Sequence, residues 1–340
     1  MIRHITCTKI YLPVRLLYCL LLFLFSIMPA VAANSADTVD FRACLAQLHE
    51  VAIQQGISTE SFNRATARIA PDMRIIERLD RQPEFTLSLS DYLARQVTEG
   101  RIRTGRAKLI EHRELLTTIE KRYGVDPAVI VAIWGMESSF GAATGNFPVV
   151  QSLATLSCYG RRQPFFRNEF FSALRILEQG DVAENEFLGS WAGAFGQTQF
   201  LPSSFERLAV DHSGDGRRNV IGSVSDALAS AANYLKHAGW QPEMPWGFEV
   251  IVPTELETSN IEWRERKPLS FWKKQGITRL DHTSLITELL PETVEAGLLI
   301  AENSDGPHFL VLTNFNALYR YNPAVKYALA IAHLAELLHE

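Results

Sequence analysis

Residues 127–140, PAVIVAIWGMESSF, carry a single charge, Glu137, in a run of apolar and small residues. The run is apolar nearly all round, and such a helix must lie at the centre of a domain. Asp126 is placed as its N-cap and Pro127 as its first helical residue, and Gly141 turns the chain after it. An ionised glutamate is rarely buried without a partner, because desolvation costs several kcal/mol. Glu137 therefore either sits on a wet helix edge or is a carboxylic acid kept in apolar company, beside Trp134, Met136 and Phe140, to hold its proton.

The rest of the chain is organised around this helix. Phe41, Cys44, Leu45, Leu48 and Ala52 recur at three and four, one face of a helix that Gly56 can end, with Ser58 capping the next. A helical stretch from Ser90 to Tyr123 closes at Gly124. Further helices are expected over 167–179, 203–210, 225–238 and 324–338, and short strands over 248–252 and 309–312. The fold class is mainly α (α+β). The expected divisions are a signal peptide (1–32), an N-terminal helical region (33–110), a central core (111–240), a small α/β insertion (241–312) and a C-terminal segment returning to the core (313–340).

Arg3, Lys9 and Arg15 precede an apolar run, Leu16 to Met28, followed by Ala30-Val31-Ala32. This is the pattern of a cleaved secretory signal, and the run is short for a membrane span, which takes about 20 residues. The expected product is exported and soluble, in the periplasm, without a stable membrane anchor, and monomeric. Without those residues 30 basic stand against 38 acidic side chains, a balance of −8, against −5 for the whole chain. That argues against nucleic acid as a partner. Cys44 and Cys158 remain, to be bridged or to stay as free thiols.

Three further stretches carry chemistry. GSWAGAFGQTQFLPSSF, 189–205, mixes Gly189, Gly193 and Gly196 with Ser190, Gln197, Thr198 and Gln199 and with the rings of Trp191, Phe195 and Phe200. Hydroxyls, amides and flat apolar surfaces suit a sugar; an ordinary Gly-rich turn is the plain alternative. DHSGDGRRNVIGSVSDA, 211–227, places Asp211, Ser213, Asp215 and Gly216 as in the first half of an EF-hand loop, with Gly222 where that loop has Glu and Asp226 as the nearest later carboxylate. A calcium loop and a solvated turn are both open. RYNPAVKYA, 320–328, offers Tyr321, Asn322 and Tyr327.

Together with DRQPEF (80–85), GRRQPFF (160–166) and DALASAANYL (226–235), these motifs resemble, in order over roughly residues 40–338, the lytic transglycosylase B family of peptidoglycan-cleaving enzymes. The resemblance implies a lysozyme-like helical core with a small β-containing part. It implies that Glu137 is the sole acid/base, that Ser190, Gln199, Tyr321, Asn322 and Tyr327 face the glycan, and that Arg161 and Arg162 meet the anionic stem peptide. No cofactor is required for the chemistry; a structural Ca²⁺ at Asp211, Ser213, Asp215 and Asp226 is the metal site it suggests. The expected reaction is non-hydrolytic cleavage of the β-1,4 bond between N-acetylmuramic acid and N-acetylglucosamine in glycan strands, leaving 1,6-anhydromuramic ends. A muramidase using water and a non-catalytic glycan-binding protein are the alternatives.

Overall fold

In a computed structural model, residues 40–79, 86–301 and 306–340 are described. The expected signal peptide and the DRQPEF motif lie outside them. Helix α1 (Phe41–Gln54) starts where the Asp40 carboxylate accepts the Arg42 amide, and α2 (Thr59–Thr66) where Ser58 accepts that of Ser61. Next come α3 (Met73–Ile76), α4 (Leu89–Gln96), α5 (Glu99–Glu111) and α6 (Arg113–Tyr123), which ends on Gly124 in the left-handed region. Helix α7 (Pro127–Ser138) follows, with the Asp126 side chain accepting the Ala128 amide at 2.8 Å.

Every residue of α7 from Ala128 to Trp134 is buried. The last helix, α14 (Val325–His339), lies along it with Ile331 and with Ala328, Ala332 and Ala335, whose small side chains let the two axes approach. Helices α5, α6 and α11 (Val224–His237) close the other sides.

A second apolar core joins α1 and α2 to α8 (Val149–Tyr159), α9 (Gln163–Gln179) and the Gly-rich stretch, through Phe170, Phe195 and Phe205. Helix α8 is an element that periodicity does not announce. Nine of its eleven residues are buried, so it has no polar face to contrast with an apolar one. Cys44 on α1 and Cys158 in the last turn of α8 form a disulfide with Cα atoms 6.0 Å apart.

Two strands pair beside α8: β1 (Phe147–Pro148) and β2 (Leu188–Gly189), which leads into the Gly-rich stretch. Helix α10 (Pro202–Leu208) follows that stretch. After α11 the chain builds a five-stranded antiparallel sheet in the order β4-β6-β7-β3-β5. Its members are β3 (Gly247–Ile251), β4 (Lys267–Pro268), β5 (Thr278–Arg279), β6 (Glu295–Ile300) and β7 (His308–Val311). Helix α12 (Leu269–Lys274) covers it with Leu269 and Trp272 against Val250, Leu298 and Leu310. The sequence suggests only the strands now seen as β3 and β7. Helix α13 (Thr313–Tyr321) then returns the chain to the helical body.

The disulfide closes a loop of 114 residues. For a loop of that order the chain-entropy account gives about 4–5 kcal/mol, with smaller effects common. Reduction, or the pair Cys44→Ser and Cys158→Ser, should lower the melting temperature by several degrees. Labelling of the denatured, unreduced protein should find no free thiol from this pair.

Candidate active site

Helix α7 leaves the core only in its last turn, where Met136 and Glu137 are half-buried before Ser138 is buried again. Three residues in the left-handed region then reverse the chain: Ser139 (φ 50°), Phe140 (φ 61°) and Gly141 (φ 86°). For the first two this costs about 1–2 kcal/mol each. Packing compensates. The Phe140 ring folds back over Gly135 and meets Trp134 edge-on at 5.7 Å. At Gly141 a Cβ would fall 2.7 Å from Gln197 Oε1, so this position accepts only glycine without rearrangement.

The end of α7 is fastened to the Gly-rich stretch. Ser138 Oγ donates to the Gln197 carbonyl at 2.5 Å and accepts the Gly141 amide at 2.9 Å. The Trp134 indole donates to Gln197 Oε1 at 3.1 Å, and the Gln197 amide group donates to the Ile221 carbonyl at 3.1 Å. Gln197 is a buried connector, and Thr198, Phe195 and Phe200 are buried too. The two phenylalanines are therefore core residues, contrary to their expected use as exposed flat surfaces; β-bridges Gly189–Phe195 and Phe195–Phe200 turn them inward.

Ser190 closes the turn by accepting the Ala194 amide at 3.1 Å. Gln199, at φ 48°, donates from Nε2 to the carbonyls of Thr144 and Gly196, both at 2.9 Å. Tyr321, at the end of α13, donates to the Thr198 carbonyl at 2.8 Å and packs on Tyr234 at 4.7 Å.

The partner of Glu137 comes from a distance of 190 residues. Tyr327, in the first turn of α14, donates from Oη to Glu137 Oε1 at 2.5 Å. Tyr321 and Tyr327 have pKa values pushed well above the ordinary tyrosine value, first by burial and then by the negative charge of Glu137. Both hydroxyls stay protonated, so Tyr327 is a fixed donor to the carboxylate. Tyr92 on α4 adds to the field at Tyr327 and at the half-buried Arg101 of α5. Sequence reasoning passes over both, since no spacing links them to Glu137.

The other expected site residues are dispersed. Asn322 caps α13, and its side-chain amide has no hydrogen-bond partner among the described residues. Arg161 and Arg162 are exposed in the turn before α9; Arg162, at φ 96°, stacks its guanidinium 4.4 Å from the Phe165 ring centre.

Glu169 and Glu186 are not rivals to Glu137. Glu169 is buried and accepts the Ser203 amide at 2.9 Å and the Ser203 hydroxyl at 2.7 Å, a structural pairing at the start of α10. Glu186 is exposed in a short 3₁₀ turn.

In the acidic loop, Asp211, Asp215 and Asp226 bring carboxylate oxygens within 4.8 Å of one another. Asp226 is fully buried and accepts the amides of His212 (2.9 Å), Ser213 (2.8 Å) and Asn219 (3.0 Å). Asp211 accepts those of Gly214 (2.6 Å) and Gly216 (2.8 Å), and the Ser213 hydroxyl at 3.2 Å. These bonds hold the Asp211 pKa below the ordinary carboxylate value, against a desolvation contribution that would raise it. Gly222, at the position of the usual EF-hand glutamate, only donates its amide to Asn219.

A buried helix delivering one carboxylate to a half-open edge, beneath a tyrosine from a returning helix, places the fold with the lysozyme-like lytic transglycosylases. The chain belongs to the transglycosylase SLT domain family, whose model it matches over residues 40–336.

SltB3 from Pseudomonas aeruginosa, solved with NAG-anhNAM-pentapeptide, is similar at 42% identity and TM-score 0.83, over 88% of this chain and 80% of that one. The Escherichia coli transglycosylase Slt35, solved with calcium, is similar at 26% identity and TM-score 0.75, over 87% and 92%. The membrane-bound lytic murein transglycosylase B of Escherichia coli (strain K12) is 32% identical over 248 residues, which are 72% of this chain and 66% of that protein. The match thus spans just under two thirds of that relative.

The raised tyrosine pKa values carry a sign. Unfolded tyrosines lose protons near pH 10, before the folded Tyr321 and Tyr327 do. Their contribution to stability is fully present below about pH 10 and is lost as pH rises through the folded values. Urea midpoints from pH 8 to 11 should fall less steeply for the Tyr321→Phe, Tyr327→Phe variant than for the unsubstituted protein.

Proposed function

We propose that this protein is a peptidoglycan lytic transglycosylase, exported to the periplasm, with Glu137 as its only acid/base. The observation that carries this reading is the half-buried Glu137 carboxylate at the end of a buried helix, held by Tyr327 at 2.5 Å. Family membership and the fold shared with SltB3 and Slt35 support it. Among the described residues no helix is long and apolar enough to cross a membrane, and the reading of residues 1–32 as a cleaved signal completes the assignment to the periplasm.

The substrate is the glycan strand, cut between N-acetylmuramic acid and N-acetylglucosamine. Glu137, protonated in the company of Trp134, Met136 and Phe140, gives its proton to the glycosidic oxygen as the bond to the muramyl anomeric carbon breaks. The 6-hydroxyl of the same muramyl residue then bonds to that carbon, and its proton passes to the ionised Glu137. Tyr327 stabilises that carboxylate by its hydrogen bond and keeps its own proton throughout. Water is not consumed, and a 1,6-anhydro end results.

Glu169 is committed to Ser203 and Glu186 lies in an exposed 3₁₀ turn, which argues against either as the second acid of the paired-carboxylate route of hydrolysis. The NAG-anhNAM-pentapeptide held by the SltB3 relative supports both the anhydro product and peptide contacts. In this reading Asn322 offers an uncommitted amide and Ser190, Gln199, Tyr321 and Tyr327 shape the wall, while Arg161 and Arg162 face stem-peptide carboxylates.

Calcium is proposed as a structural ion. The 4.8 Å spread of the Asp211, Asp215 and Asp226 oxygens suits ligands around a cation at about 2.3–2.6 Å, and the Slt35 relative was solved with that ion. The carboxylates would hold it, with Ser213 beside them, and it would offset their mutual repulsion.

Purified sacculi give the test. Glu137→Gln keeps the shape and removes the proton transfer, so clearing should slow by roughly 10²–10⁴-fold, the usual worth of general acid–base catalysis. Clearing at the unaltered rate would refute the assignment. For the loop, calcium added after chelation should raise the melting temperature, by an amount equivalent to about 2.7 kcal/mol at a hundred times its dissociation constant. Asp215→Asn should weaken that response, and an unchanged melting curve would exclude the ion.

A further inference from the structure

Among the described residues, Arg101 reaches the last turn of α7 without an acidic partner. It lies in the first turn of α5, where its amide is accepted by the Thr98 N-cap. Its guanidinium reaches across the gap between α4 and α7. Nη1 donates to the Gln96 carbonyl, to Gln96 Oε1 at 3.1 Å and towards Met136 Sδ at 3.8 Å. Met136 is the residue before Glu137, and Tyr92, which acts on Tyr327, also acts on Arg101. Arg101 therefore touches the turn of α7 that carries Glu137.

The side chain is half-buried, and burial lowers its pKa while Tyr92 opposes the shift. Among the described residues it makes no ion pair, and neither Nε nor Nη2 has an acceptor. Neither nitrogen is sealed from solvent without a partner. Nε and Nη2 form the planar edge that binds a carboxylate through two parallel N–H bonds. A half-buried cation left without a counter-charge is costly, and the cost is removed when an anion arrives.

We propose that Arg101, whose Nη1 reaches Met136, is a substrate-recognition residue whose Nε–Nη2 edge binds a carboxylate on the muramyl portion of the glycan. The proposal rests on the glycan-cleaving reading of Glu137. The carboxylate has two possible sources with the same chemistry, the lactyl group of muramic acid where no peptide is attached, and the stem peptide where one is. Arg101 contributes affinity and register, and takes no part in proton transfer.

The test compares Arg101→Gln with the unsubstituted protein on three glycan preparations: strands bearing stem peptides, strands stripped of peptide, and both after conversion of their carboxylates to neutral amides. The expected result is a KM raised about tenfold or more with kcat within twofold on carboxylate-bearing strands, and no difference on amidated ones. Whichever of the first two preparations shows the effect identifies the source. Arg101→Lys, which keeps the charge and loses the fork, should fall between. An equal KM rise on amidated strands, a fall in kcat at constant KM, or no change would overturn the proposal.

Calorimetric titration of the same strands into Glu137→Gln, with and without Arg101→Gln, reads the contact without turnover. It separates the two readings. Binding that weakens only on loss of Arg101 upholds the contact even if no strand is cut, whereas binding indifferent to Arg101 defeats it even if cleavage is seen.

Discussion

Burial of α7 on all sides is the constraint on which the rest of the structure depends. A twelve-residue helix with no polar face needs partners around its whole circumference, and the chain supplies α5, α6, α11 and α14. The closest of these, α14, approaches through alanines, and the approach that buries α7 also carries Tyr327 to Glu137. One packing interface thus sets both the burial of the helix and the surroundings of Glu137. Glu137 is not placed by a loop that could drift; it is the penultimate residue of a regular helix.

The turn after α7 performs the second task, opening one edge of the buried helix without flooding it. Three left-handed residues in succession are an unfavourable backbone, and they persist because Phe140 packs on Gly135 and Trp134 and because Ser138 and Trp134 are hydrogen-bonded to Gln197. The Gly-rich stretch is consequently a scaffold first. Its glycines allow close approach, as at Gly196, where a Cβ would come 2.7 Å from Val220, and most of its polar groups are occupied in holding the loop. What faces outward there is the edge of a shaped surface rather than a row of free donors.

Much of this was legible in the sequence where local chemistry decides the outcome. Asp40, Ser58 and Asp126 act as caps, Gly124 ends its helix, and the uniform apolarity of α7 announces its burial. The lone charge in that helix drew attention to Glu137, which the structure places half-buried in its last turn. The illegible parts have physical causes. Helix α8 is buried nearly all round and has no periodic contrast. Strands β4 and β5 are two residues long, too short for an alternating pattern. Phe195 and Phe200 looked like exposed rings because composition cannot say which way a tight bridge turns a side chain. The Tyr327–Glu137 bond spans 190 residues, and no sequence spacing announces it.

The central claim is that one carboxylate, turning from acid to base, suffices because the nucleophile is already part of the substrate. An intramolecular hydroxyl in good orientation has an effective molarity of roughly 10⁵–10⁸ M and outcompetes water. Digestion of purified peptidoglycan in ¹⁸O-labelled water, followed by mass spectrometry of the muramic ends, measures that competition directly. The account predicts 1,6-anhydromuramic ends without label; reducing muramic ends carrying ¹⁸O would show that water is the nucleophile and contradict it.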